Sequence, residues 1–160
     1  MPVKMVKDIE IIKSWKLNER HYGALQGLNK DDTKNKYGEQ KFFEWRRSYN
    51  IPPPILDEDS SMNPKKDPIY ENENIDELPL TECLKDTYER VVPYWTSEIK
   101  PLILEKDVMI AAHGNSLRAL CKFLFDIGDD DIVNLEIPTG NPLLINLDKS
   151  CKILSARYLD

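Results

Sequence analysis

The sequence predicts an α/β fold in which helices flank a mostly parallel sheet. The run Val108-Met109-Ile110-Ala111-Ala112 is continuously apolar and of strand length, which is typical of a strand buried on both faces. A tight turn at His113 and Gly114 follows, and the apolar residues after it recur at helical spacing. This succession of strand, turn and helix, with further strand patterns near the C-terminus, favours a sheet sandwiched between helices.

The composition predicts one domain, residues 1–160, of ordinary globular type. Of the 160 residues, 41% are hydrophobic and 31% are charged. The net charge of −6 argues against nucleic acid or an anionic membrane as the partner, because both attract a dominant positive field. Cys83, Cys121 and Cys151 are widely spaced and form neither a metal-ligand pattern nor a complete disulfide framework. We therefore expect no bound metal and a reducing, cytoplasmic location.

Three segments make up the N-terminal half. The residues from Ile9 to Trp15 are β-rich and predict a strand that leads into a loop over residues 17–30. Residues 33–49 predict a helix that Gly38 can break. The segment 50–80 holds six of the eleven prolines together with many acidic residues. It indicates an irregular excursion over the same domain, with a linker between domains as the alternative.

Two helices are predicted in the C-terminal half. The first begins near Thr81, a favourable N-cap, and should be kinked by Pro93. The second is capped by Asn115 or Ser116 and ends at Gly128. The apolar face of the first helix is formed by Leu84, Tyr88, Val91, Trp95 and Ile99.

Two strands are predicted near the end of the chain. Residues from Leu143 to Leu147 and from Ile153 to Leu159 are rich in β-forming side chains. The polar pair Asp148-Lys149 lies between them and predicts a turn. The sequence contains no internal repeat and no low-complexity tract.

The loop over residues 17–30 concentrates charged and hydrogen-bonding side chains. Glu19, Arg20, His21, Tyr22 and Lys30 lie among glycines there. Such a set suits an anionic substrate that must also gain or lose a proton, because cations hold the anion while a carboxyl group moves the proton. A surface ion pair between Glu19 and Arg20, and an exposed Lys30, are the alternatives.

The second cluster is His113-Gly114-Asn115, which follows the predicted buried strand and opens a helix. Ligands of open α/β sheets bind beyond the carboxyl ends of strands, and helix N-termini favour anions. An imidazole at this place suits a phosphoryl group. The alternative is a histidine that merely caps a buried strand.

Arginine usage supports an anionic ligand. Arg46 and Arg47 stand side by side, and Arg20 and Arg118 each lie within five residues of a histidine. The planar guanidinium binds phosphate or carboxylate through two parallel hydrogen bonds, which lysine cannot do. The alternative for the doublet is a solvated helix face.

Together these motifs resemble the cofactor-dependent phosphoglycerate mutases of the histidine phosphatase superfamily, in the same order along nearly the whole chain. Long motifs in a shared order are far more specific than one short pattern. The matching segments are Ser14-Trp15-Lys16-Leu17-Asn18-Glu19-Arg20-His21-Tyr22-Gly23, Leu28-Asn29-Lys30, Trp45-Arg46-Arg47-Ser48-Tyr49, Pro52-Pro53-Pro54, Ala111-Ala112-His113-Gly114-Asn115-Ser116-Leu117-Arg118 and Ile137-Pro138-Thr139-Gly140.

The resemblance implies a metal-free phosphoryl transfer that interconverts 3-phosphoglycerate and 2-phosphoglycerate in glycolysis, with 2,3-bisphosphoglycerate as the primer. It implies that Glu19 exchanges the proton of the substrate hydroxyl and that His113 stabilises the transferring phosphoryl group. It also implies small phosphorylated three-carbon acids as substrates and a homodimer or homotetramer. The implied substrate-binding residues are Arg20, His21, Tyr22, Lys30, Arg46, Arg47, Gly114 and Asn115.

One departure from the family concerns the phosphoacceptor. The family carries the phosphoryl group on the histidine of an N-terminal Arg-His-Gly strand, and this tripeptide does not occur in the 160 residues. The resemblance thus implies a family fold incomplete at its N-terminus, also lacking most of the C-terminal tail, and a chain inactive by itself. Three interpretations are open: part of a complete mutase, a non-catalytic protein that binds phosphorylated metabolites or a paralogue, or a bisphosphoglycerate mutase or phosphatase relative.

Overall fold

The computed structural model describes residues 9–159, so residues 1–8 and 160 of the predicted domain lie outside the described part. Short 3-10 turns connect the regular elements, and none of the helices in this part is long and apolar enough to cross a membrane. The elements are α1 (Lys30–Tyr37), α2 (Glu39–Arg47), α3 (Leu84–Tyr94), α4 (Lys100–Ile103), α5 (Gly114–Leu124), β1 (Leu143–Leu147) and β2 (Ile153–Tyr158).

The core lies between α3 and α5. The predicted apolar face of the first C-terminal helix is confirmed: four of its members are buried against α5 and against Ile132, which is fully buried. The α3 backbone continues as a π-helical segment, Trp95–Ile99, directly after Pro93, which agrees with the predicted disturbance there. The buried members of the cluster are Leu84, Val91, Trp95, Ile99, Ala119, Leu120 and Ile132.

The caps of the long helices differ from the prediction. The N-cap of α3 is Cys83, whose backbone N–H donates to the Asp86 carboxylate at 2.8 Å. Thr81 instead donates its hydroxyl to the carbonyl of Pro53 at 2.7 Å, because the loop over residues 50–80 packs back on it. The α5 helix begins earlier than expected, with His113 at its N-cap, and ends at Leu124.

The mostly parallel sheet is not present in residues 9–159, whose sheet is the antiparallel pair β1 and β2. The predicted strand from Ile9 to Trp15 has no backbone ladder, and Trp15 starts a 3-10 turn. The segment 108–112 also lacks a strand partner: Met109 is 90% exposed, whereas Val108 and Ile110 pack on the core. A strand requires a neighbour for its N–H and C=O groups, and an apolar run does not specify that neighbour.

Three other predictions are confirmed. Gly38 separates α1 from α2 with φ +85°, a conformation that glycine adopts readily. The segment 50–80 is irregular apart from 3-10 turns. The two C-terminal strands pair as a hairpin in which Leu143 lies opposite Tyr158.

Candidate functional site

The loop over residues 17–30 is anchored by a glycine at a close backbone approach. Gly23 has φ +58°, and a Cβ built on it would lie 2.0 Å from the carbonyl oxygen of Pro54. The next N–H, that of Ala24, donates to the same oxygen at 2.8 Å. Only glycine fits this contact, so the loop is held directly against the proline-rich segment.

The carboxylate of Glu19 lies at the N-terminus of α5. Asn115 donates its backbone N–H to Glu19 Oε2 at 3.3 Å and its side-chain Nδ2 to Glu19 Oε1 at 2.5 Å. The same Nδ2 lies 3.1 Å from the hydroxyl oxygen of Tyr22. Free N–H groups at a helix N-terminus favour negative charge, so this position accepts an anion. The fold thereby joins both predicted clusters at Asn115.

Arg118 orients the Asn115 amide. Its NH1 donates to Asn115 Oδ1 at 3.0 Å, and its NH2 donates to the carbonyl of Ile132 at 2.7 Å. Because the amide oxygen is engaged by Arg118, the amide nitrogen faces Glu19 and Tyr22. Burial lowers the pKa of Arg118 below its ordinary value, and the nearby charges of Arg47 and Arg20 lower it further. Arg118 belongs to a matching motif but is not among the implied substrate-binding residues, although its i+3 spacing from Asn115 is the signal for such a contact.

Two arginines lie against one aromatic ring. The guanidinium carbon of Arg20 is 4.6 Å from the centroid of the Tyr22 ring, and that of Arg46 is 5.6 Å from it. Arg20 is only 2% exposed and donates to the carbonyl of Trp45 at 2.6 Å. Its Nε is buried without a hydrogen-bond partner among the described residues. These contacts exclude a surface ion pair of Arg20 with Glu19 as its role.

Lys30 lies close to this group. It lines a groove of about 180 Å³ together with Tyr22, Thr33, Phe42 and Arg46. Lys30 is exposed at the start of α1. Its flexible ammonium group can therefore add positive charge to the groove that the Tyr22 ring lines.

Arg47 and His113 are less closely associated with the cluster. Arg47 donates to Glu136 at 2.6 Å, in a pair that is largely exposed. His113 is exposed at the N-cap of α5 and makes no capping hydrogen bond through its side chain. In residues 9–159 the segment directly before His113 is not a strand, so the buried strand predicted there is not present in this part of the chain. Gly114 is the first residue of α5 and has open space around its Cα.

His21 supports the loop from inside. The N–H of Gly23 donates to His21 Nδ1 at 3.0 Å, so this ring nitrogen is an acceptor. Burial lowers the pKa of His21 below its ordinary value, while the charge of Glu82 and a hydrogen bond with the Met62 backbone oppose this effect. These contacts favour a neutral imidazole that shapes the loop.

We expect His21 to titrate below the usual histidine value of about 6.5, as measured from its Hε1 resonance in a pH series by NMR. A depressed pKa in the folded state means that the unfolded chain binds the proton more tightly. Folding stability is therefore retained above about pH 6.5 and falls as the pH drops through the folded-state pKa. Urea unfolding between about pH 8 and pH 5 checks this, with His21→Gln as the variant in which the slope becomes shallower. A titration midpoint at or above the usual value would contradict the expectation.

The residues 9–159 contain no group of three or more His, Cys, Asp or Glu side chains arranged to hold a metal ion. The three cysteines are unpaired: Cys83 and Cys121 are buried, and Cys151 is partly exposed. Burial raises the pKa of the Cys121 thiol to about 11, so this thiol stays protonated near neutral pH.

Comparison with known proteins finds similar proteins that share one name. No family model matches the chain. Curated relatives from Borreliella burgdorferi (strain ZS7) and Borreliella afzelii (strain PKo) are 55% and 56% identical over 152 residues, covering 94% of this chain. Both are named 2,3-bisphosphoglycerate-dependent phosphoglycerate mutase, and the chain spans 61% of their length. The chain is therefore similar, over 94% of its length, to 2,3-bisphosphoglycerate-dependent phosphoglycerate mutases, and this similarity supports the family resemblance recognised in the sequence motifs.

Proposed function

We propose that this chain carries the substrate-binding and proton-transferring part of a phosphoglycerate mutase site. The observation that supports this most is the convergence of Glu19, Tyr22 and Asn115 at the N-terminus of α5, beside two arginines that flank one ring. A carboxylate, a helix N-terminus and several cations together suit a phosphorylated carboxylic acid. The activity is the interconversion of 3-phosphoglycerate and 2-phosphoglycerate.

The proposed roles follow from the contacts. Arg20, Arg46 and Lys30 bind the phosphate and carboxylate of the substrate, with the Tyr22 ring holding both guanidinium groups in place. Asn115 offers its backbone N–H and its amide to a phosphoryl group. These donors are the ones that Glu19 occupies without substrate, so an arriving phosphoryl group displaces the carboxylate. Glu19 is then free to exchange the proton of the substrate hydroxyl.

Three further residues lie farther from the central contacts, and we give each a separate role. His113, exposed next to Gly114, stabilises the transferring phosphoryl group together with the first N–H groups of α5. Arg47 joins the substrate after leaving the exposed carboxylate of Glu136. His21 acts through the loop rather than by direct contact, given its bond with Gly23.

The bisphosphoglycerate primer fits the charge of the cluster. Arg20 Nε is a buried donor without a partner in residues 9–159, and the charges of Arg47 and Arg20 lie close enough to Arg118 to lower its pKa. Arg20, Arg46 and Lys30 are the residues that would hold it. When bound, it supplies the phosphoryl group of the transfer.

The same proposal covers the sheet, the domain, the oligomeric state and the location of the whole protein. We propose that residues 108–112 pair in a mostly parallel sheet of the family fold when a further strand is available, because one face of this segment is uncovered. The single domain over residues 1–160, the homodimer or homotetramer and the cytoplasmic location are likewise proposed from the family. The 160 residues lack Arg-His-Gly, so we propose binding without turnover for this chain alone.

Titration of the chain with 3-phosphoglycerate, followed by calorimetry, tests the proposal. We expect saturable binding that weakens about tenfold in Arg46→Ala, since one charge-assisted contact is lost. Arg157→Ala on the exposed face of the hairpin is the matched control and should bind like the wild type. Glu19→Gln should bind at least as tightly, because the competing charge at Asn115 is removed.

Two results would contradict the proposal. Equal binding of 3-phosphoglycerate and unphosphorylated glycerate would exclude a phosphate site. Formation of 2-phosphoglycerate by the purified chain, followed in an enolase-coupled assay with 2,3-bisphosphoglycerate, would exclude the expectation of binding without turnover.

A further inference from the structure

Arg90 on α3 donates hydrogen bonds to the backbone where the loop over residues 17–30 begins. Its Nε donates to Glu82 Oε1 at 2.6 Å, and its NH2 donates to Glu82 Oε2 at 3.1 Å. The same guanidinium donates to the carbonyls of Lys16 at 2.7 Å and Asn18 at 3.0 Å. The Arg90 and Glu82 side chains are only 9% and 3% exposed. One buried group therefore engages a carboxylate, the 3-10 turn that precedes the loop, and the residue that ends this turn.

Glu82 binds the loop through both peptide groups of His21. Its Oε2 accepts a hydrogen bond from the backbone N–H of His21 at 2.7 Å. Its own N–H donates to the carbonyl of His21 at 2.8 Å. Glu19 and Arg20 thus lie between the carbonyls held by Arg90 and the peptide groups held by Glu82.

Residues 18–22 form neither helix nor strand, so no regular ladder holds their backbone. Their other backbone hydrogen bonds are local and include those from Asn18 to the Trp15 carbonyl at 2.8 Å and from Tyr22 to Gln26 Oε1 at 3.2 Å, whereas Arg90 and Glu82 are distant in the chain. The planar fork of arginine can serve a carboxylate and several carbonyls at once, whereas lysine has a single compact ammonium group. A buried ion pair contributes little net stability compared with an apolar pair of the same size, so the main consequence of this one is the geometry of the loop.

We infer that Arg90 and Glu82 are a positioning pair, which sets the places of Glu19, Arg20 and Tyr22 without touching the substrate. The inference rests on the proposed function for its consequence in ligand binding, but the holding of the loop is independent of that function. The hydrogen bonds of the pair include none with Asn115 or Tyr22, so it can be changed by mutation without removing a binding residue.

Arg90→Lys is the decisive variant, because lysine keeps the positive charge but lacks the planar guanidinium group with its several donors. We expect hydrogen exchange at the His21 amide to rise about tenfold while exchange at Leu120 in the core is unchanged, and binding of 3-phosphoglycerate to weaken about tenfold. Glu89→Gln is the matched control, because it breaks the exposed ion pair of Glu89 with Lys85 on the same helix. The control should leave both readouts at their wild-type values.

The double variant Glu82→Gln with Arg90→Gln removes both charges, so no lone charge is left buried if Arg90→Lys fails to fold. We expect the same loosening of the His21 amide in this variant. Wild-type exchange at His21 in either folded variant would overturn the inference. If the wild type itself does not bind 3-phosphoglycerate, the proposed function fails while the exchange measurement still decides the role of the pair.

Discussion

Replacing Arg20 by methionine is expected to abolish the site and to destabilise the fold. The guanidinium is 2% exposed, donates to the carbonyl of Trp45 at 2.6 Å and lies on the Tyr22 ring. Methionine keeps the apolar stem but leaves that carbonyl unsatisfied, which costs about 2–3 kcal/mol in the free energy of unfolding. Loss of charge-assisted contacts worth about 3 kcal/mol weakens binding of 3-phosphoglycerate about a hundredfold.

Urea unfolding and calorimetry measure the two effects of the Arg20 change separately. Arg157→Met on the exposed face of β2 is the control, and its free energy of unfolding should stay within about 0.5 kcal/mol of the wild type. Arg20→Lys distinguishes charge from geometry, because lysine carries the charge without the fork. Unchanged stability in Arg20→Met would show that the buried guanidinium does not support the carbonyl of Trp45.

Gly23→Ala is expected to have the second large effect. The added Cβ would lie 2.0 Å from the Pro54 carbonyl oxygen and 2.8 Å from Thr81 Oγ1, and the residue has φ +58°. Backbone must move to relieve the first contact, because a carbonyl oxygen has no alternative rotamer. The combined strain and overpacking cost about 2–4 kcal/mol in the free energy of unfolding. The hydrogen bond from Ala24 to Pro54 is lost with them.

Thermal and urea unfolding of Gly23→Ala check this expectation, with Gly140→Ala as the control. Gly140 also has positive φ, +76°, but nothing lies within 4 Å of an added Cβ. Its substitution costs only the backbone preference, about 1 kcal/mol. Equal effects at the two glycines would mean that the close approach to Pro54 does not hold the loop in place.

Local patterns in the sequence predicted the elements that depend on their own residues. The break between α1 and α2 at Gly38, the apolar face of α3 and the C-terminal hairpin are all confirmed. The parallel sheet is not present in residues 9–159 and stays a prediction, because residues 108–112 have strand composition but no neighbouring strand there. The prediction of Thr81 as the N-cap of α3 was wrong, because the Thr81 hydroxyl donates to the carbonyl of Pro53, which is distant in the chain.

The sequence predicted which residues belong to the site, but it predicted their spatial arrangement only in part. The motifs identified Glu19, Arg20 and Asn115 as members, and their catalytic and binding roles stay predictions. Arg118 was noted near His113 without a role, and Arg90 was not identified, since each acts through another group: Arg118 orients the Asn115 amide, and Arg90 binds backbone carbonyls at Lys16 and Asn18. A short sequence motif does not reveal residues that act in this indirect way.

The sequence by itself indicated the family resemblance, the helices around the core and the set of charged groups that an anionic substrate requires. Only the tertiary structure decided that Glu19 meets Asn115, 96 positions further along the chain, and that Arg47 turns instead to Glu136. The physical reason is that helix periodicity and turn chemistry act over a few residues, whereas hydrogen bonds between distant segments depend on how the whole chain packs.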